Sequence, residues 1–167
     1  MSETVSAATT LASASARAGT LARVLREGYG PGAWHGPDLR AALDGITGKQ
    51  ALWRPGRGRH NIAEIAIHHA FYVRSVTGRL TGAEQPAFPF DGEDWFEVND
   101  ERAHKWPEIA TLLEQLQERL VAAVADIEAG RVQSPLSDSE RFDVVLGITC
   151  HAVYHAGQIQ LIKALAS

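Results

Sequence analysis

Apolar residues in this chain recur at intervals of three and four over long stretches, and nowhere does a useful run alternate with the period of two that a strand requires. That periodicity confines the chain to helices. The clearest stripe is Ile109, Leu112, Leu113, Leu116, Leu120, Val124 and Ile127, opened by Pro107, which suits a first helical turn, and closed by Gly130. A second stripe, Val144, Ile148, His151, His155, Ile159 and Ile162, follows a cap at Ser137 or Ser139 near Glu140. Asn61 with Glu64 three residues on reads as an N-cap, and the helix it opens should run to about Leu80 with Ile62, Ile65, Tyr72 and Val76 inward. Leu11, Ala14, Ala18, Leu21 and Leu25 mark one more helix that should stop near Gly28.

The connections read as follows. Tyr29-Gly30-Pro31-Gly32 breaks the first helix, a short helical turn is expected around Asp38 to Leu43, and Trp53 to Gly58 forms a loop. Residues 81–105, rich in proline, glycine and aromatics, are expected to be a long loop, and loops of that length usually serve function. Four helices joined in this way predict an all-α, four-helix bundle in a single domain over 1–167, with 1–9 as a flexible end.

Composition narrows the function. At 167 residues and 45% hydrophobic the chain can bury a substantial core, but it is short for two domains. Twenty acidic residues outnumber 16 basic ones, for a net charge of -4, and no basic stripe is present to track a phosphate backbone, so nucleic acid is not an expected partner. Apolar runs are broken well before the ~18 residues of a membrane span. Met1 to Ala16 lacks the basic start and apolar middle of a secretory signal, and the lone Cys150 suits a reducing compartment, so a cytoplasmic location is expected.

The chemistry lies in the histidines. His151 and His155, four apart, project in nearly one direction from the last helix and can chelate an ion. They sit amid Ile148, Ile159 and Ile162, where bare imidazoles cost a few kcal/mol, so they must hold a metal or be hydrogen-bonded in the core. A third ligand has to come from another helix, and His68 and His69 flank the inner face of the second, so pattern alone does not choose between them. His35, His60 and His104 fall in loops and read as exposed polar residues. Ala152 stands where a His-Glu-x-x-His peptidase needs its glutamate, which excludes that class, as the lack of phosphate loops, nucleophile elbows and paired cysteines excludes others. Cys150, about 100° around the helix from His151, reads as a packed small residue. Gln158, about 20° from His151, is a candidate pocket group beside the metal, whereas Tyr154 is turned about 60° away and reads as packing.

Two segments carry a family resemblance. His60-Asn61-Ile62-Ala63-Glu64-Ile65-Ala66-Ile67-His68 resembles the start of the second helix of the DinB-like (YfiT-like) metal-binding bundles, and Cys150-His151-Ala152-Val153-Tyr154-His155-Ala156-Gly157-Gln158-Ile159 resembles their last helix. The loop Ala33-Trp34-His35-Gly36-Pro37 and the segment Ala51-Leu52-Trp53-Arg54-Pro55 are similar to connecting pieces found there. Ala63 departs from many relatives, which carry tryptophan, and His69 falls where the family usually has an aliphatic residue. The resemblance implies an up-down bundle with one histidine from the second helix and two from the last, placing the ligands at His68, His151 and His155.

Three neutral imidazoles leave an open position on a divalent ion, zinc or nickel being expected, and the ion can lower the pKa of a thiol or of water there. Because some relatives look like thiol-dependent enzymes, the resemblance favours a metal-dependent thiol transferase with a small-molecule thiol as partner. A non-catalytic metal-binding stress protein and a metal-dependent hydrolase are the alternatives. A homodimer is also expected, partly from the family and partly from the apolar loop of Phe88, Phe90, Trp95 and Phe96.

Overall fold

The computed structural model describes residues 19–99 and 105–166, all of whose regular elements are helices. They are α1 (Thr20–Tyr29), α2 (Leu39–Leu43), α3 (Gly48–Leu52), α4 (Ile62–Thr81), α5 (Trp106–Glu128) and α6 (Asp138–Leu165). Caps fix most of their starts. Asn61 Oδ1 accepts the Glu64 N–H at 2.8 Å, and Ser137 and Glu140 form a reciprocal capping box, which decides for Ser137 over Ser139. Helix α3 goes beyond the sequence expectation. Its Thr47 and Gln50 make a second such box, a signal too short to show as periodicity. The proposed first turns of α1, Leu11 to Ala18, lie outside the described residues.

The four long helices share one core. Helices α4 and α1 each pack against both α5 and α6, so α4 and α1 stand diagonally, as do α5 and α6. Glu128, at the end of α5, accepts the Leu21 N–H at the start of α1 at 2.9 Å, and Tyr29 donates to Glu114 at 2.7 Å, so α1 and α5 are antiparallel. Gly82, at the end of α4, lies against Pro135 just before α6, which makes α4 and α6 antiparallel as well. With α5 and α6 joined by a short connection, the long helices run up, down, down, up: α4 and α5 point in the same direction, where the simple up-down bundle expected from sequence would alternate. That arrangement forces the segment after α4 to return along the full length of the bundle, which is why the connection to α5 is so long.

The returning segment is tied to α4 throughout. Arg74 donates to the carbonyls of Pro86 and Gln85 at 2.6 and 3.1 Å. Phe88 and Phe96 pack edge to face and tilted against Phe71 of α4, with ring centroids 5.3 and 5.6 Å away. Phe96 and Val98 are buried, and Phe88 and Phe90 pack onto the core. The aromatic loop therefore covers the chain's own core, and only Trp95 of its four aromatics stays substantially exposed. Its apolar character needs no second subunit to explain it.

The end of the segment meets a buried carboxylate. Glu64 accepts the Val98 N–H at 3.0 Å, a hydrogen bond from His60 Nδ1 at 3.0 Å, and both guanidinium arms of Arg54. Asn61 Nδ2 donates to the Val98 carbonyl at 2.9 Å. Burial alone would raise the Glu64 pKa, but the donors from Arg54, Val98 and His60 outweigh it and hold it below the usual glutamate value.

Helix α1 packs tightly on α6 at Gly28. A Cβ there would lie 3.0 Å from both the Thr149 carbonyl oxygen and the Ala152 Cβ. Both obstacles belong to a rigid helix, so Gly28→Val should destabilise the fold by about 1–3 kcal/mol. Urea denaturation of the variant beside wild type measures this, and an unchanged midpoint would show that the two helices can part without loss.

Candidate metal centre

Helix α4 is buried on all sides at its start: every residue from Asn61 to Ala70 is buried. That explains why periodicity could not separate His68 from His69. Both are buried, and they point to opposite sides of His151. Helix α6 crosses at the same level with His151 partly buried and His155 only 2% exposed.

Three nitrogens converge. His151 Nε2 lies 3.1 Å from His68 Nε2 and 2.9 Å from His155 Nε2, and the ligand atoms of all three residues fall within 4.8 Å of one another. Nitrogens bound tetrahedrally to one zinc ion at about 2.0–2.1 Å would be about 3.3 Å apart, so the cluster needs little adjustment to hold an ion. The far sides of two rings are already committed. His68 Nδ1 is 2.8 Å from the Asp94 carbonyl oxygen, and His155 Nδ1 is 2.6 Å from Gln158 Oε1. A carbonyl oxygen can only accept, so each Nδ1 carries the proton and each Nε2 presents a lone pair to the common point. These residues fit a divalent metal.

The surroundings hold the cluster neutral. Burial pushes His155 and His151 down to about 4, with the neighbouring imidazoles adding to the shift. His69, fully buried, is driven well below the usual histidine range for the same reasons. Trp95 stacks on His68 with centroids 3.9 Å apart, and His60 stacks on its other face at 3.7 Å, so the returning segment roofs the site with an aromatic sandwich. Asp94 Oδ1 lies 3.2 Å from His68 Nδ1 and accepts from Tyr72 at 2.9 Å. A cavity of about 420 Å³ opens beside His155, walled by Trp95, Tyr154, Leu161, Arg59 and Gln158.

Several sequence expectations are revised. Gln158 lines the cavity, but its carbonyl oxygen is spent on His155 from behind, which makes it an orienting group. Tyr154 is 63% exposed and accepts from Gln158 Nε2 at 3.1 Å, so it borders the cavity and is not packing. Cys150 is exposed, not packed, because no element among the described residues covers α6 there. His35 is exposed as expected, bonded to the Glu27 carbonyl at 2.6 Å, and His104 lies outside the described residues. His60 is exposed too, yet it joins the aromatic stack and Glu64. His69, Gln117 and the Asp94 carbonyl had no assigned role. Gln117 was discoverable as the one polar residue beside Leu113, Leu116 and Leu120, whereas a main-chain carbonyl leaves no trace in sequence.

The DinB superfamily profile matches residues 33–159, which include α4, α5 and every histidine of the cluster. The chain belongs to the DinB superfamily. No curated protein and no solved structure matches it significantly. For this DinB-superfamily chain the matched region thus agrees with a three-histidine cluster able to bind a metal ion. No helix among the described residues is long and apolar enough to cross a membrane.

The depressed histidines give a pH dependence with a definite sign. An unfolded histidine titrates near 6.5, whereas folded His151 and His155 titrate at about 4, so the unfolded state binds more protons in between. Chelator-stripped protein should keep its full stability above about pH 6.5 and lose it progressively as pH falls towards 4. The Glu64 contribution is lost only below the ordinary glutamate range. Urea midpoints at pH 7.5 and 5.0 should therefore differ, the lower value at pH 5.0, and identical midpoints would refute the neutral, buried cluster.

Proposed function

We propose that this protein is a metal-dependent thiol transferase whose ion, zinc or nickel, is held by His68, His151 and His155. The observation that carries this reading is the convergence of three Nε2 atoms, two with the opposite nitrogen fixed by an acceptor. A divalent ion on three neutral imidazoles keeps its full charge and supplies an acidic open position that favours a thiol's deprotonated, nucleophilic form.

The chain's own residues do the rest. His68 and His155 are oriented by Asp94 and Gln158, Trp95 shields the His68 face from water, and the cavity beside His155 gives a small substrate room to approach. Thiol chemistry is favoured over hydrolysis because a metal-held thiolate needs no protein base, and the last helix carries no aspartate or glutamate near His151 and His155. Asp94 Oδ1, engaged by Tyr72 and His68, helps to position His68.

Purified without a histidine tag, the protein should carry close to one divalent ion per chain by elemental analysis. Replacing His151 or His155 by Ala should remove it, and His68→Leu should do the same. Metal-loaded protein should consume a small thiol against a generic electrophile and leave ester and amide panels untouched, with the activity lost in His155→Ala. Full occupancy in the His151→Ala/His155→Ala variant would overturn the ligand assignment. Thiol-independent ester turnover would make the protein a hydrolase, and inactivity of saturated protein on both panels would leave a non-catalytic metal-binding role.

A further inference from the structure

Behind His151, away from the convergence point, lies a buried chain that the three-histidine site does not require. His151 Nδ1 is 2.9 Å from His69 Nδ1, and His69 Nε2 is 3.2 Å from the Gln117 carboxamide. His69 is 0% exposed and Gln117 5%, so neither can exchange its partner for bulk water. Each of these contacts needs one proton between its two heavy atoms, and a neutral imidazole with both nitrogens engaged has only one proton to give.

Only two arrangements satisfy the chain. In the first, a Gln117 N–H donates to His69 Nε2 and His69 Nδ1–H donates to His151 Nδ1, which leaves the His151 proton on Nε2, facing the bare Nε2 atoms of His68 and His155. In the second, every donor is reversed: His151 Nδ1–H donates to His69 Nδ1, His69 Nε2–H donates to Gln117 Oε1 after the amide turns over, and His151 Nε2 is a lone pair. A lone pair on His151 Nε2 repels those on His68 Nε2 and His155 Nε2, 3.1 and 2.9 Å away, unless a cation lies among them. We propose that His69 and Gln117 are positioning residues forming a tautomer relay, which adopts the second arrangement with metal bound and returns to the first when the metal leaves.

This inference rests on His151 being a ligand, as argued above. It adds that the affinity of the site is set in part by a glutamine on α5 that never approaches the ion. The protons balance: His151 and His69 carry one each in both arrangements. On binding, the His69 Nδ1 proton passes along its hydrogen bond to His151 Nδ1 and the His151 Nε2 proton leaves to solvent, while a transient opening of the core lets one solvent proton reach His69 Nε2. The relay itself therefore releases no net proton.

Nitrogen-15 NMR of histidine-labelled protein reads the tautomers directly. Zinc-loaded wild type should show the proton of His151 on Nδ1 and that of His69 on Nε2, and chelation should reverse both. By competition against a chromophoric chelator, His69→Leu and Gln117→Leu should still bind one zinc at saturation but about 10–100-fold more weakly. Gln117→Glu, whose carboxylate can only accept, should restore wild-type or tighter affinity, an outcome that a packing role for Gln117 would not produce. A zinc-loaded His69 protonated on Nδ1, or Leu variants with wild-type affinity, would overturn the relay alone. Wild type that binds no zinc would overturn the ligand assignment first.

Discussion

Four imidazoles withdrawn from water at one level of a helical bundle set the terms for everything around them. An unpaired polar group in such a place costs a few kcal/mol, and among the described residues no buried side-chain nitrogen or oxygen lacks a partner. Each histidine is satisfied by a different element: His68 by the returning segment, His155 by its own helix, and His69 by α5, while His151 stands in the middle of all three. The cluster thus ties α4, α5, α6 and the long connection together at one point.

The topology supplies that point. Because α4 and α5 run the same way, the chain must travel back along α4, and its return carries the Asp94 carbonyl and the Trp95 ring over His68. Glu64 anchors the end of the return, four residues before His68 on the same helix. Loop and ligand are therefore referenced to one rigid element, which suits a site whose geometry must hold to fractions of an ångström.

Much of this was legible in the sequence, because the signals were local. Asn61 and Glu64 mark the start of α4, Pro107 and Gly130 bracket α5, and the spacing of His151 and His155 forces them onto one face of α6. The short helix α3 was not, since five residues are too few for a periodic pattern. The choice between His68 and His69 failed on phase because α4 is buried all round, so its apolar residues mark no single face. The Asp94 carbonyl and the relay through Gln117 depend on contacts between residues 26 and 48 positions apart, which no helical repeat encodes.

The central claim is that one ion sits where three Nε2 atoms converge and keeps a coordination position open to solvent or substrate. X-ray absorption at the metal edge of the zinc-loaded protein, together with an anomalous difference map from its crystals, tests this most directly. The account predicts three imidazole nitrogens at about 2.0–2.1 Å from His68, His151 and His155, with an exchangeable light atom completing the shell. A fourth protein ligand closing the ion, or an anomalous peak away from these histidines, would contradict it.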